Sequence, residues 1–388
     1  MQSMNNTWRV GVLFSRSGVT SVAERTQADA VELAVEQING AGGILGKPLQ
    51  PISYDPASSP RLFRSYAERL LFEDDVNVIF GCYMSSTRKA VLPVVEARKR
   101  LLFYPTFYEG FEYSPYCIYG GATPAQSMLH LSRHLFAEGK RRFFLIGSNY
   151  VFPYESNRVM ADLIVQNKCV VTEETYLALD CGTVEMDRAI RLIVKHRPDA
   201  IFSTLVGESL ALFYERLAAA GISASDITIA STVVGETYLE RLPPGLAEGT
   251  LVPAPYFESV DTPMARLFAR DFKARFGAGR RIDAAGEAAY SQVLAFAQAL
   301  KVAGSASTEA LRSSLAGLEI DAPQGRIRID PDNNHTELWA RIGRVTADNR
   351  IETIIDATQR VRPDPYWTEV EWSDWTAPSS AQRPVGAD

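Results

Sequence analysis

The side chains best placed to do chemistry are hydroxyl-bearing residues at the ends of predicted strands. Hydroxyl groups both donate and accept hydrogen bonds, and aromatic rings limit the size of what fits between them. A cleft built from such segments would suit a small, neutral, polar molecule. The segments rich in Ser, Thr and Tyr follow six apolar runs, at 15–18, 82–86, 104–106, 147–150, 204–207 and 231–235.

The same segments carry few charges, which argues against an anionic ligand. A phosphate would need a Gly-rich loop with Lys or Arg, and a carboxylate would need an arginine fork. Arg16, Arg88 and Lys89 are the nearest cations, and residues of these types usually lie on the solvated surface. We therefore expect an uncharged ligand.

Patterns for other chemistries are incomplete. His130 and His134 lie four residues apart on a predicted helix, but no third ligand accompanies them, so we expect structural roles and no metal. The glycines of 40–46 follow a helix and precede a strand, the reverse of a dinucleotide-binding loop. Ser85 could be a nucleophile, yet we expect no base near it, which disfavours a hydrolase. We expect no cofactor.

Composition and charge exclude further classes. The 388 residues include 40 Lys and Arg against 46 Asp and Glu, a formal net charge of −6, so we expect no direct contact with nucleic acid. The four cysteines form no CxxC pair and are expected to be reduced and mostly buried. The uncharged stretch 113–132 is broken by Pro and Gly, so we expect no membrane span. The N-terminus shows no secretory signal, which predicts a cytoplasmic protein, or a periplasmic one if a leader was removed.

An alternation of apolar runs and helical patterns must position the hydroxyl-rich segments. This alternation predicts an α/β fold with parallel sheets flanked by helices, and its two successive rounds in a chain of this length predict two related lobes. We expect a capping box between Ser21 and Glu24 at the start of the first helix. The principal predicted strands are 9–14, 49–55, 76–80, 101–104, 142–146, 170–176, 200–204, 228–230, 326–329, 338–345 and 351–355.

A set of motifs spread along the chain resembles one known family. The motifs are 39–48 (NGAGGILGKP), 81–90 (GCYMSSTRKA), 104–115 (YPTFYEGFEYSP), 202–207 (FSTLVG), 321–325 (DAPQG) and 333–335 (NNH). The first is similar to a turn in the type I periplasmic solute-binding proteins of the branched-chain amino acid class. The others resemble the amide- and urea-binding branch, and most closely the cytoplasmic amide sensors that negatively regulate aliphatic amidase operons.

The resemblance implies an architecture and a ligand. The fold would be two Rossmann-like, doubly wound parallel-sheet lobes joined by three crossovers. Residues 8–121 with 254–330 would form lobe 1, residues 122–253 with 331–375 would form lobe 2, and 376–388 are expected to be disordered. A short aliphatic amide or urea would be held between the lobes.

The resemblance also implies the binding residues. Ser85 would make paired hydrogen bonds to the amide, Tyr104 and Thr106 would add contacts, and Tyr83 and Tyr150 would close the pocket. The other expected lining residues are Phe107, Phe152, Leu205, Val206 and Val233. Phe107 stands where the sensors have a proline, Phe152 replaces a tyrosine, and 233–235 replaces a Thr-Thr-Ser run. Because these changes remove hydroxyl groups from the second lobe, the sequence leaves the identity of the amide open.

Two kinds of binding protein fit these residues. As an amide sensor, the protein would not be an enzyme; it would sequester an RNA-binding antiterminator and release it when an inducing amide binds. As an alternative, it would be the substrate-binding protein of an ABC transporter for amides, urea or branched-chain amino acids. An amino acid would need a carboxylate for its ammonium group, which Glu208 or Glu236 could supply. A homo-oligomer is left open.

Overall fold

The computed structural model describes residues 7–224 and 226–367, which form two mainly parallel sheets and one small antiparallel sheet. The strands are β1 (Trp8–Leu13), β2 (Leu49–Tyr54), β3 (Val78–Gly81), β4 (Leu101–Tyr104), β5 (Cys117–Tyr119), β6 (Arg142–Ser148), β7 (Val170–Leu177), β8 (Ala200–Thr204), β9 (Thr228–Ser231), β10 (Leu251–Ala254), β11 (Glu319–Ala322), β12 (Gly325–Ile329), β13 (Thr336–Trp339), β14 (Arg341–Val345), β15 (Ile351–Ile355) and β16 (Arg360–Val361). The predicted tail 376–388 lies outside the described residues.

Helices connect most of the strands. They are α1 (Ser21–Gly40), α2 (Pro60–Phe72), α3 (Ser85–Ala97), α4 (Met128–Ala137), α5 (Val151–Gln166), α6 (Thr183–His196), α7 (Glu208–Ala219), α8 (Glu236–Leu239), α9 (Pro263–Phe276), α10 (Ala284–Ala303) and α11 (Thr308–Leu315). A single 3₁₀ turn, Pro124–Gln126, precedes α4.

The first sheet has five parallel strands in the order β2-β1-β3-β4-β5. Its strands alternate between two buried faces. Val12 belongs to the apolar cluster that includes residues of α1 and α10, whereas Leu13 belongs to the cluster formed with α2 and α3. Because helices cover both faces of the sheet, its strands are short, continuous apolar runs in the sequence.

The second sheet has the order β15-β14-β10-β9-β8-β6-β7. Strands β6 to β10 are parallel, and β14 and β15 extend the sheet in antiparallel fashion. The chain passes from the first sheet to the second after β5, returns after β10 to the helices that pack on α1, and passes again before β14. The predicted α/β two-lobe fold is confirmed, while the exact lobe limits stay a prediction.

One local expectation is wrong. Helix α1 begins at Ser21, but Thr20 is the residue before it and no side chain caps its first turn. The Glu24 carboxylate instead accepts hydrogen bonds from the backbone N–H of Ser15, at 2.6 Å, and from the Thr20 hydroxyl. Glu24 therefore fixes the loop between β1 and α1 rather than closing a capping box.

Within the described residues, the remaining coarse expectations can be compared with the structure. All four cysteines are free; Cys181 is half-buried and the others are buried. None of the helices in this part of the chain is long and apolar enough to cross a membrane. His130 and His134 lie on α4, where no described group of His, Cys, Asp and Glu could hold a metal ion. Burial and the Arg133 charge lower the pKa of His130 to about 4.

Candidate functional site

The turn between β3 and α3 presents Ser85 at a strand end. Cys82 adopts a left-handed conformation with φ of 71°, a strained arrangement for a residue other than glycine, and it turns the chain out of the sheet. Ser85 then begins α3 and is only 2 % exposed. Its position follows the general rule that ligands bind beyond the carboxyl ends of parallel strands.

Arg88 lies one helical turn after Ser85. It is buried, which corrects the expectation that it lies on the surface. Its side chain is 0 % exposed. The guanidinium carbon lies 4.7 Å from the centre of the Tyr104 ring and 4.6 Å from that of Tyr108, so the cation is held between two aromatic faces. Lys89 differs, since its side chain is 45 % exposed.

Two carboxylates neutralise the buried guanidinium. Arg88 Nε donates to Glu112 Oε1 at 2.7 Å, Nη2 donates to Glu109 Oε1 at 3.3 Å, and Nη1 donates to Ser85 Oγ at 3.2 Å. The Ser85 hydroxyl in turn donates to Glu109 Oε2. Burial alone would raise the pKa of Glu112, but the Arg88 charge and hydrogen bonds from Arg88 and Lys89 lower it to about 2. We call Ser85, Arg88, Glu109 and Glu112 the ion cluster.

Glu109 corrects the expectation that no base lies near Ser85. Its carboxylate is 2 % exposed and accepts the hydroxyl proton of Ser85 in a hydrogen bond, while Arg88 holds its other oxygen. With the guanidinium already shared between two carboxylates, the cluster has no free cation to offer an anionic ligand.

Two predicted ligand-binding hydroxyls serve the protein itself. The Tyr104 hydroxyl donates to the backbone oxygen of Tyr83 at 2.8 Å. Thr106 Oγ1 donates to the Cys82 oxygen at 3.3 Å and accepts from Gln27 Nε2 at 3.0 Å. Both residues therefore fasten the β4 end to the turn that carries Ser85.

Aromatic rings continue from the first lobe into the second. The Tyr83 and Phe107 rings lie 6.4 Å apart, Phe107 and Phe152 5.5 Å, and Phe152 and Tyr150 6.2 Å, measured between centroids. Tyr150 and Phe152 come from the start of α5 in the second lobe. Burial, and then electrostatic interaction with Tyr104 and Glu109, raise the pKa of Tyr150. The structure thus shows the lobes in contact at this point.

A cavity of about 40 Å³ lies beside these rings. Four of the predicted site residues line it: Tyr83, Phe107, Phe152 and Val233. Ser85 belongs to the ion cluster and the Tyr104 ring contacts its guanidinium. Thr106 and Tyr150 are likewise not among the residues that line the cavity. Leu205 and Val206 are 0 % and 1 % exposed, belong to the apolar core, and are not among the lining residues, so their contact with a ligand stays a prediction.

Several polar residues of the cleft were not predicted from the sequence. Glu109 and Glu112 lie three residues apart in the motif 104–115. Two carboxylates at that spacing among aromatic residues were the only indication in the sequence of a buried cation that pairs with them. The cavity is also lined by Tyr256 and Asp283, which the sequence did not indicate, and by Thr232 and Glu236, which lie in or were named beside the predicted segment 231–235. Glu236 is buried and accepts the Glu258 N–H at 2.9 Å, whereas Glu208 is exposed.

Most of the chain matches a known protein family. Residues 8–371 match a family model described as a periplasmic binding protein domain. The chain belongs to the periplasmic binding protein family. Members of this family bind ligands and are not enzymes.

Solved structures of periplasmic binding proteins share the fold. A solute-binding protein of an ABC transporter from Rhodopseudomonas palustris, in complex with 3,4-dihydroxybenzoic acid, has a TM-score of 0.83 at 20 % identity, over 92 % of this chain and 99 % of that one. A branched-chain amino acid transporter substrate-binding protein from Streptococcus pneumoniae, in complex with isoleucine, has a TM-score of 0.81 at 16 % identity, over 92 % and 100 %. The amide-sensor branch stays a prediction from the motifs.

Proposed function

We propose that this protein is the solute-binding component of an ABC importer and that it captures a small uncharged solute with an amide or urea group between its lobes. The observation that carries this proposal is the ion cluster, in which Glu109 and Glu112 already neutralise Arg88. The family match and the transporter neighbours support the import role.

An amide complements the groups around Ser85. The backbone N–H groups of Ser85 and Ser86 begin α3 and have no acceptor inside the helix, so they suit a carbonyl oxygen. The Ser85 hydroxyl oxygen and the Glu109 carboxylate accept hydrogen bonds and suit an NH₂ group. A carboxylate lacks those N–H donors and would lie against Glu109, so we expect it to bind far more weakly.

The cavity adjoins the ion cluster through Tyr108, whose ring contacts Arg88, and its size favours a ligand of few atoms. An apolar protein cavity that holds benzene measures about 150 Å³, against about 40 Å³ here. In this closed arrangement the cavity leaves no room for a benzoate ring of the kind that the R. palustris proteins bind. An amide or urea with a short side chain fits the space better.

Calorimetric titration tests the ligand class. We expect acetamide or urea to bind and acetate, which has nearly the same shape as acetamide, not to bind. Ser85→Ala and Glu109→Gln should each weaken acetamide binding about tenfold or more, which corresponds to one lost hydrogen bond of about 1.4 kcal/mol. Ser132→Ala is the matched control, because Ser132 is a buried serine on α4 whose hydroxyl donates to the Leu129 oxygen. Tighter binding of acetate than of acetamide would refute the proposal.

The amide sensor is a second candidate because the motifs around Ser85 resemble that branch, and it would bind the same class of ligand. The two differ in location and partner. We propose a location outside the cytoplasm, as the family description supports. Fractionation of cells that express the gene from its own start should place an importer component outside the cytoplasm. Recovery in the cytoplasm together with an RNA-binding antiterminator would favour the sensor.

A further inference from the structure

Two hydroxyl groups among the residues that line the cavity have no hydrogen-bonding partner. Within residues 7–224 and 226–367, Thr232 Oγ1 and Tyr256 Oη are buried and make no hydrogen bond. Thr232 is 8 % exposed and Tyr256 is 1 % exposed. A buried polar group left unpaired destabilises a protein by about 1–3 kcal/mol, so two at one cavity call for a physical reason.

The two hydroxyls come from different parts of the chain. Thr232 follows β9 at a strand end of the second lobe, and Tyr256 follows β10, where the chain returns to the first lobe. Both line the same cavity as Tyr83, Phe107 and Phe152. Tyr108 also lines it, and its ring contacts the Arg88 guanidinium of the ion cluster. The cavity therefore combines an aromatic wall with two polar groups that are not used within the fold.

From these unpaired hydroxyls, and resting on the proposed function, we infer that the natural solute carries a second polar group besides its amide. The amide lies against Ser85 and Glu109, a short carbon segment lies along Phe107 and Phe152, and a hydroxyl or carbonyl oxygen meets Thr232 and Tyr256. The solute class is thus a short amide with a hydroxyl or second carbonyl, and a simple alkyl amide leaves the two hydroxyls unpaired.

The surroundings of Tyr256 set the direction of its hydrogen bond. Burial, and then the nearby carboxyls of Glu236 and Glu287, raise the pKa of Tyr256, so its hydroxyl keeps its proton and can donate. Thr232 can donate or accept. An oxygen atom that accepts from Tyr256 and can also bond to Thr232 satisfies both groups, which a methyl group cannot do.

Pairs of amides that differ by one group test this inference. In 3-hydroxypropionamide a hydroxyl replaces the terminal methyl of butyramide, and in lactamide a hydroxyl replaces one methyl of isobutyramide. We expect the wild-type protein to bind the hydroxyl member of at least one pair about tenfold more tightly. Thr232→Val and Tyr256→Phe should bring that preference close to one and leave the affinity for acetamide within about twofold.

The control variants change a second pair of buried hydroxyl groups, which also lies in the second lobe. Tyr214 and Thr250 hydrogen-bond to each other at 3.1 Å and do not line the cavity, so Tyr214→Phe and Thr250→Val should keep the wild-type preference. If acetamide binds but the methyl members bind as tightly as the hydroxyl members, this inference fails and the proposed function stands. If acetamide does not bind at all, the proposed function fails and this inference with it.

Discussion

At the residue scale, the proposed preference for an uncharged ligand depends on how the Arg88 guanidinium is paired. A buried guanidinium would attract a carboxylate, but here Glu109 and Glu112 occupy its donors and two tyrosine rings cover its faces. Removing one partner of a buried ion pair leaves an uncompensated charge, which typically costs about 3–5 kcal/mol. Lys89 also pairs with Glu112, at 2.9 Å, so the two cations and the two carboxylates leave the site with no net charge.

The sequence could predict Ser85 and its neighbours but not this cluster. Ser85, Tyr83 and Tyr104 follow predicted strands, so their positions at a sheet edge could be anticipated from the alternation of apolar runs. Arg88 could not, because its burial depends on rings and carboxylates about twenty residues further along the chain. Composition assigns a lone arginine to the surface, and only the tertiary contacts overturn that assignment.

The buried carboxyl group of Glu24 makes the free energy of unfolding depend on pH. Burial raises the pKa of Glu24 to about 7 from 4.5, although hydrogen bonds from Thr20 and Ser15 lower it. Between these two pH values the folded state holds a proton that the unfolded state has lost, so the free energy of unfolding falls as pH rises. For this shift in pKa, the free energy of unfolding decreases by on the order of 3 kcal/mol.

Glu24→Gln should remove that part of the pH dependence. Urea denaturation of wild type and variant at about pH 5 and about pH 8 measures it, and we expect the variant to gain stability relative to wild type at the higher pH. Glu215→Gln, which changes an exposed carboxylate on α7, is the control and should not show this gain. A difference between wild type and Glu24→Gln that stays constant with pH would contradict the assignment.

At the element scale, the turn between β8 and α7 meets the loop before α1. Gly207 has a φ of +68°, and a Cβ added there would lie 2.8 Å from the backbone oxygen of Val19. Gly207 belongs to the second lobe and Val19 to the first, so this close approach exists only while the lobes are together. Glycine is needed here for both its conformation and its lack of a side chain.

Gly207→Ala should therefore weaken ligand binding by hindering closure. Gly221→Ala is a matched control, because Gly221 has a similar φ of +71° in the same lobe but nothing within 4 Å of an added Cβ. We expect both variants to lose about 1 kcal/mol of stability from the left-handed conformation, and only Gly207→Ala to lose affinity for acetamide, by about fivefold or more. Equal affinities in the two variants would show that this contact plays no part in binding.

At the scale of the whole molecule, the two-lobe fold follows from the alternation of strands and helices, while the details of closure do not. The predicted strands 101–104, 200–204 and 351–355 match β4, β8 and β15. Strand β5 was missed because it has three residues between Pro115 and Gly120 and carries no pattern of its own. The sequence likewise could not show that Phe107 and Phe152 meet across the lobes, since that contact depends on how the sheets are placed.

The most direct test of an uncharged solute held between the lobes is a crystal structure of the protein with acetamide. We predict one acetamide molecule between the lobes, with its carbonyl oxygen within hydrogen-bond distance of the Ser85 N–H and its NH₂ group facing Glu109. A cleft that instead holds a metal ion, a nucleotide, or a carboxylate bound by Arg88 would contradict the account.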